Sequence, residues 1–126
     1  MKVLIVEDSP LVRKMYGLVF PNRTNELVAT EDGRKALVAL TESAQPYDLI
    51  LIDLRMPDMD GVEFIRAVRS TAVLRKIPVV LTTAEPDDAD LMQQAKALGV
   101  AAIVRKPWKP QELRAVVQSV LHKPAA

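Results

Sequence analysis

The chain has 126 residues, which is the length of one ordinary domain and excludes a second one. Its 49% hydrophobic and 26% charged residues exclude long disorder. The net charge of +1 gives no field that would gather nucleic acid or an anionic membrane, so we expect neither as a direct partner. The sequence has no cysteine, no signal-peptide pattern and no apolar run near the ~20 residues of a membrane span, so we expect a cytoplasmic protein.

Five short apolar runs alternate with amphipathic segments along the chain. The runs are Val3-Leu4-Ile5-Val6, Leu27-Val28-Ala29, Leu49-Ile50-Leu51-Ile52, Val79-Val80-Leu81 and Ala102-Ile103-Val104. Continuous apolar runs are typical of strands that helices cover on both faces. The pattern therefore predicts a single α/β domain over residues 1–126, built as five βα units around a doubly wound parallel sheet.

Helix signals follow each predicted strand. Ser9 and Pro10 are typical of the cap and first residue of a helix, and Pro110 opens the last helix in the same way. Pro86-Asp87-Asp88 predicts the start of the fourth helix, and Gly99 its end. Helical spacing predicts the buried positions Leu11, Met15, Leu18, Val19, Val62, Ile65, Val68, Leu91, Ala95, Leu98, Leu113, Val116, Val117, Val120 and Leu121. In the third helix, Arg66 and Arg69 are expected to face water.

Acidic side chains follow two of the predicted strands. Glu7 and Asp8 come after the first strand and Asp53 after the third, while Thr83 follows the fourth and Lys106 the fifth. Open α/β sheets bind ligands at this carboxyl edge, and neighbouring strands lie about 4.8 Å apart. Three ionised carboxylates at that separation repel one another and call for a cation. An all-oxygen site with room for water suits Mg²⁺, which is the cofactor that we expect.

These residues resemble the receiver domain of bacterial two-component response regulators, the CheY-like family, over essentially the whole chain. The motifs are Glu7-Asp8, Asp53-Leu54-Arg55-Met56-Pro57-Asp58-Met59-Asp60-Gly61, Thr83-Ala84-Glu85 and Lys106-Pro107, each at the end of a strand. The resemblance implies a flavodoxin-like fold with strand order 2-1-3-4-5.

The resemblance also implies a role for each site residue. Asp53 would be the phosphoryl acceptor, and the Mg²⁺ site would consist of Asp53, Asp8, Glu7 and the backbone carbonyl of Arg55. Asp8 would be a direct ligand, whereas Glu7 would bind either directly or through water. Phosphoryl transfer to a carboxylate needs such a metal and a set of cations and donors on the phosphoryl oxygens.

Two further residues complete the implied site. Thr83 would donate a hydrogen bond to the phosphoryl group, and Lys106 would contact a phosphoryl oxygen. The Lys106-Pro107 bond would be cis, which an X-Pro bond permits.

The resemblance implies a signalling switch and not an enzyme with an external substrate, since the chain would catalyse only its own phosphorylation and dephosphorylation. A histidine kinase or histidine phosphotransfer protein would be the donor. A downstream protein would bind the fourth helix, fifth strand and fifth helix. The chain is then either a stand-alone receiver or the N-terminal piece of a longer regulator.

The sequence departs from the family pattern at one place and leaves a question at another. The family usually has Tyr or Phe three residues before the lysine, as a switch that turns inward, but here that residue is Ile103. Output would then depend on backbone shifts or on another surface. Arg55 and Glu85 should flank the mouth of the site, either as two solvated charges or as a salt bridge that acts as a gate.

Three other functions are alternatives. An aspartyl-phosphate phosphohydrolase such as a haloacid dehalogenase needs a second Asp two residues after the nucleophile, where this chain has Arg55. A flavodoxin-like FMN carrier needs a Ser/Thr-rich loop after the first strand, where this chain has Glu7-Asp8-Ser9-Pro10. A degenerate receiver would be an interaction module that works without phosphorylation.

Overall fold

A computed structural model of the chain describes residues 1–20, 25–87 and 89–122. Five strands and five helices alternate along it. The strands are β1 (Lys2–Val6), β2 (Glu26–Thr30), β3 (Leu49–Asp53), β4 (Val79–Thr83) and β5 (Ala102–Arg105). The helices are α1 (Pro10–Val19), α2 (Gly33–Glu42), α3 (Gly61–Arg69), α4 (Asp90–Ala97) and α5 (Pro110–Leu121). The strands pair in parallel in the order β2-β1-β3-β4-β5, so the predicted fold and strand order are confirmed.

The hydrophobic core is divided between the two faces of the sheet. Because side chains alternate along a strand, each central strand supplies residues to both faces. Leu4, Val6, Ile50, Ile52, Val79 and Leu81 pack on one face with α2, α3 and α4. Val3, Ile5, Leu49, Leu51 and Val80 pack on the other face with α1 and α5. Helices on both faces leave only the edges of the sheet for a binding site.

Helix α1 buries only part of the predicted stripe, namely Val19 and, in part, Met15. Ser9 caps it through a hydrogen bond from the Val12 N–H, as expected. Leu11 and Leu18, however, are 69% and 64% exposed, so the prediction that they are buried is wrong. The helix is rotated so that the large ring of Tyr16 fills the space against the sheet instead.

Helix α3 starts from a tight turn and ends at Arg69, which is half-buried instead of fully exposed as predicted. A Cβ on Gly61 would lie 3.0 Å from the Leu54 Cα and 3.1 Å from the Asp53 carbonyl oxygen, so a larger residue there would require the backbone to shift. Asp60 and Glu63 form a capping box. Arg66 is exposed as predicted, but the Arg69 guanidinium donates to the carbonyls of Leu98, Arg75, Ile77 and Gly99. These acceptors draw Arg69 onto the protein, and burial lowers its pKa.

Helix α4 begins later than predicted, at Asp90 instead of the Pro86-Asp87-Asp88 segment. Asp88 lies outside the described residues. Asp87 binds Arg105 of β5, which holds its carboxylate away from a first helical turn. The predicted end is confirmed, because Gly99 has φ of +76°, in the left-handed region that favours glycine.

Candidate functional site

The acidic cluster at the carboxyl edge follows from the pairing of β1 with β3. Val6 is in register with Ile52, so Glu7 and Asp8 emerge beside Asp53. Each of the three carboxylates has an oxygen within 4.8 Å of an oxygen of the others. Asp8 is exposed, whereas Glu7 and Asp53 are buried. This set of carboxylate oxygens fits Mg²⁺, which prefers hard oxygen ligands and keeps several waters.

Lys106 joins two of these carboxylates. Its Nζ donates to Glu7 Oε1 at 2.6 Å and to Asp53 Oδ2 at 2.9 Å. The residue follows β5, and its side chain reaches across the end of β4 to make both contacts. The following bond, Lys106-Pro107, is cis as the resemblance implies. The prediction that Lys106 lies at the same edge of the sheet as Asp53 is therefore confirmed, but its contact with Glu7 was not predicted.

Burial and charge have opposite effects on the pKa values of Glu7 and Lys106. Glu7 is only 1% exposed, and burial raises its pKa even though Lys106 and the Ser9 N–H favour the ionised form. Burial alone would lower the pKa of Lys106, but hydrogen bonds and charge from Glu7 and Asp53 outweigh it and raise that pKa. The lysine therefore stays charged and holds a carboxylate that would otherwise tend to bind a proton.

Thr83 ends β4, next to β3, at the same edge. It is 1% exposed, and its Oγ1 accepts a hydrogen bond of 2.9 Å from the Glu85 N–H. The hydroxyl can still donate one hydrogen bond, because a threonine oxygen both donates and accepts. The preceding residue, Thr82, points to the opposite face of the sheet, where its hydroxyl lies 3.4 Å from the hydroxyl of the buried Tyr16.

The loop after Asp53 is fastened at several points. The Arg55 N–H donates to Asp53 Oδ1 at 3.4 Å, and the Asp58 carboxylate accepts the backbone N–H groups of Gly33 and Arg34 at 3.1 and 2.9 Å. Burial alone would raise the pKa of Asp58, but these backbone hydrogen bonds outweigh it and lower that pKa. Asp58 thus caps α2 from 25 residues away. Local sequence carries no signal for so distant a cap.

The two charges at the mouth of the site form a salt bridge. Arg55 Nε donates to Glu85 Oε1 at 2.6 Å, so of the two arrangements left open by the sequence the salt bridge is present. Sequence reasoning missed a second arginine here: Arg105 contacts the Glu85 carbonyl and the Asp87 carboxylate. It also missed Arg13, whose Nη1 donates to the backbone carbonyls of the acidic pair that follows β1.

Ile103 lies in β5 and is half-buried against the core on the α4 side of the sheet. It offers no hydroxyl and no ring, so the inward rotation of an aromatic side chain has no counterpart at this position. The surface formed by α4, β5 and α5 is consequently aliphatic where the family usually has an aromatic residue.

Comparison with known proteins gives a consistent result. The family model described as "Response regulator receiver domain" matches residues 3–118. A probable chemotaxis protein CheY of Rhizobium etli is 32% identical over 94% of this chain and 91% of its own length. The DNA-binding response regulator MtrA of Mycolicibacterium smegmatis is 33% identical over 97% of this chain but only 51% of its own length. The chain thus spans nearly the whole of the first relative and about half of the second.

The solved structures agree with the sequence relatives. The chemotaxis response regulator CheY4 of Vibrio cholerae superposes with a TM-score of 0.85 at 33% identity, over 95% of this chain and 98% of that one. Within the described residues, no helix has the length and apolar character needed to cross a membrane. The sheet order, the carboxyl-edge cluster and these matches agree: the chain belongs to the response regulator receiver domain family, whose members are phosphorylation-based signalling switches and not classical enzymes.

Proposed function

We propose that this chain accepts a phosphoryl group on Asp53 from a histidine kinase or histidine phosphotransfer protein, in a Mg²⁺-dependent reaction, and thereby controls a protein partner. One observation carries the proposal: the Asp53 carboxylate lies in a cluster of three carboxylates and accepts a hydrogen bond from Lys106. A nucleophilic carboxylate, a cation and a metal-binding donor set are the parts that phosphoryl transfer requires.

In the proposed step, an Asp53 carboxylate oxygen bonds to phosphorus while the bond from phosphorus to the donor nitrogen breaks. The electron pair of that bond leaves with the donor imidazole. Asp8, Glu7, Asp53 and the Arg55 carbonyl would hold Mg²⁺, whose positive charge would offset that of the phosphoryl oxygens. The Arg55 carbonyl is suited to this because hydrogen bonds made by Asp53 and Asp58 fasten its loop.

Lys106 and Thr83 would receive the phosphoryl oxygens. Lys106 stays charged at neutral pH, and its contact with Asp53 places its ammonium where negative charge accumulates. Thr83 would use the O–H donor that its bond with Glu85 leaves available. The chain would therefore supply the catalytic groups for its own phosphorylation and dephosphorylation.

The test is labelling by acetyl phosphate with Mg²⁺, followed by intact-mass measurement. We expect one phosphoryl group on the wild type and on the control variant Asp48→Asn, but none on Asp53→Asn. Beryllofluoride, a phosphoryl mimic, should bind the wild type and not Asp53→Asn. Equal labelling of all three proteins would refute the assignment of Asp53, and no labelling of the wild type would favour a degenerate receiver.

We also propose that the output surface consists of α4, β5 and α5 and that it binds protein, not nucleic acid. The net charge of +1 supports this, because it gives no strong field to attract nucleic acid. With Ile103 in place of an aromatic residue, the signal would pass through Thr83 and the segment that starts at Ala84. Amide chemical shifts should therefore change from Ala84 to about Leu98 when beryllofluoride and Mg²⁺ are added. Changes confined to the carboxylates and Lys106 would refute this route.

A further inference from the structure

Arginines from two strand ends hold the segment that follows β4. Arg55, two residues after β3, donates from Nε to Glu85 Oε1 at 2.6 Å. Arg105, the last residue of β5, donates one nitrogen to the Glu85 carbonyl and another to the Asp87 carboxylate. Glu85 is thus bound through its side chain from one side and through its backbone from the other.

Glu85 also fixes the position of the Thr83 hydroxyl. The Glu85 N–H donates to Thr83 Oγ1 at 2.9 Å, so the hydroxyl is tied to the backbone that Arg105 holds. A shift of Thr83 toward a phosphoryl group on Asp53 must stretch this hydrogen bond or carry Glu85 along. If Glu85 moves, its carbonyl and Asp87 pull away from Arg105.

We propose that Arg105 is a positioning residue that holds Glu85, and through it Thr83, in the unphosphorylated arrangement and so opposes the switch. The part of this inference that concerns switching rests on the proposed function of Asp53. Ile103 and Arg105 are two residues apart on β5, so their side chains leave the same face of the sheet. The strand that lacks the family's usual aromatic residue therefore carries a cation that restrains the same segment.

The chemistry of Arg105 fits this role better than a lysine would. A guanidinium presents several N–H donors in a fixed plane, so it binds a carbonyl and a carboxylate at once, whereas an ammonium acts as a compact point charge. Because the Arg105 side chain is 43% exposed, salt should screen its attraction for Asp87. The restraint is consequently weak enough for phosphorylation to overcome.

The first measurement uses the unphosphorylated, full chain. Amide hydrogen exchange by NMR reports how often the Glu85 N–H leaves Thr83 Oγ1. We expect this exchange to be roughly two- to fivefold faster in Arg105→Gln, which is the range of an exposed ion pair. The matched variant Arg34→Gln removes an exposed arginine from α2 and should leave the Glu85 exchange unchanged. Equal exchange in both variants and wild type would overturn the proposal.

The second measurement is the rate of labelling by acetyl phosphate. Arg105→Gln should be labelled roughly two- to fivefold faster than wild type and Arg34→Gln, and raising the salt concentration should narrow the difference. A purely structural loss would slow labelling and would not depend on salt in this way. Faster Glu85 exchange with unchanged or slower labelling would overturn the claim that Arg105 opposes the switch. If the wild type is not labelled at all, the proposed function fails, while the exchange result still decides whether Arg105 holds Glu85.

Discussion

Replacing Lys106 with methionine should destabilise the metal-free protein because it removes the cation that pairs with the buried Glu7 carboxylate. Glu7 is 1% exposed and accepts its 2.6 Å hydrogen bond from the Lys106 Nζ. Methionine has a similar length and no charge, so the change removes the ion pair with little loss of packing. The variant would retain a buried carboxylate near two others, and the Lys106 ammonium would no longer offset their repulsion.

The expected loss can be set from the burial of the pair. Removing one partner of a buried ion pair costs about 3–5 kcal/mol. Lys106 is 21% exposed, and Glu7 can bind a proton instead of staying charged, so we expect about 2–4 kcal/mol near neutral pH. For a chain of 126 residues this corresponds to a fall in Tm of roughly 8–16 °C.

The loss should depend on pH in a defined direction. Burial holds the pKa of Glu7 above its ordinary value of 4.5, so the folded protein binds this proton more tightly than the unfolded chain does. Stability therefore falls as pH rises above 4.5 and through the raised pKa. Without Lys106 the pKa of Glu7 rises further, so the variant loses stability over a wider pH range than the wild type does. The difference in unfolding free energy between wild type and variant should therefore shrink by up to about 1.4 kcal/mol per pH unit as pH falls toward about 5. The pKa of Lys106 is itself raised from 10.5, so its charge is constant over this range.

Urea unfolding in EDTA, between about pH 5 and about pH 8, measures this deficit directly. Lys14→Met, on the exposed side of α1, is the matched control and should show little change at any pH. Glu7→Gln combined with Lys106→Met should recover most of the lost stability, because the buried side chain at position 7 no longer carries a charge that needs the Lys106 ammonium. A deficit that is independent of pH and persists in the double variant would refute the electrostatic reasoning and point to lost packing.

Four other variants test the site and its supports. Asp8→Ala should weaken Mg²⁺ binding at least about tenfold, because it removes a metal ligand, and should raise the metal-free Tm, because it relieves repulsion among the three carboxylates. Calorimetric titration measures the Mg²⁺ affinity and melting in EDTA measures the Tm. A Tm lower than that of the wild type would contradict the prediction. Arg69→Met should cost about 2–3 kcal/mol by freeing four carbonyls, and an unchanged urea midpoint would count against this. Arg55→Ala and Glu85→Gln should each speed loss of phosphate from labelled protein roughly two- to fivefold if their salt bridge hinders attacking water, whereas wild-type rates in both would exclude the gate.

The hydrophobic pattern was sufficient to predict the fold class and the alternation of strands and helices, whereas the strand order followed from the family resemblance. Strands covered on both faces are continuous apolar runs, and helices between them are forced by parallel connection, so element type followed directly. The pattern failed where one helix had two possible buried stripes. In α1 the leucines at positions 11 and 18 are exposed while Tyr16 is buried, and the Tyr16 ring packs against Trp108 with its centroid 5.0 Å away, which accounts for the rotation.

Whether the contacts of a charged residue could be predicted from the sequence depends on whether its partner is a side chain or the backbone. Asp53 and Lys106 could be paired from sequence because both follow strands whose ends meet at one edge. Arg69 and Arg105 could not, because most of their partners are backbone carbonyls, which every residue has and no side-chain pattern marks. Asp58 is a similar case, since it accepts backbone N–H groups of α2.

The contact between Lys106 and Glu7 also explains why this site depends on the whole sheet. The two residues are 99 positions apart, and they meet only when β1, β3, β4 and β5 lie side by side. Burial of an ionised Glu7 is more costly without Lys106, so a partly assembled sheet that includes β1 without β5 lacks the cation that stabilises this carboxylate. The Lys106 ammonium that the proposed chemistry requires therefore stabilises the complete five-stranded sheet more than partly paired sheets. The site should form only when β5 joins the sheet.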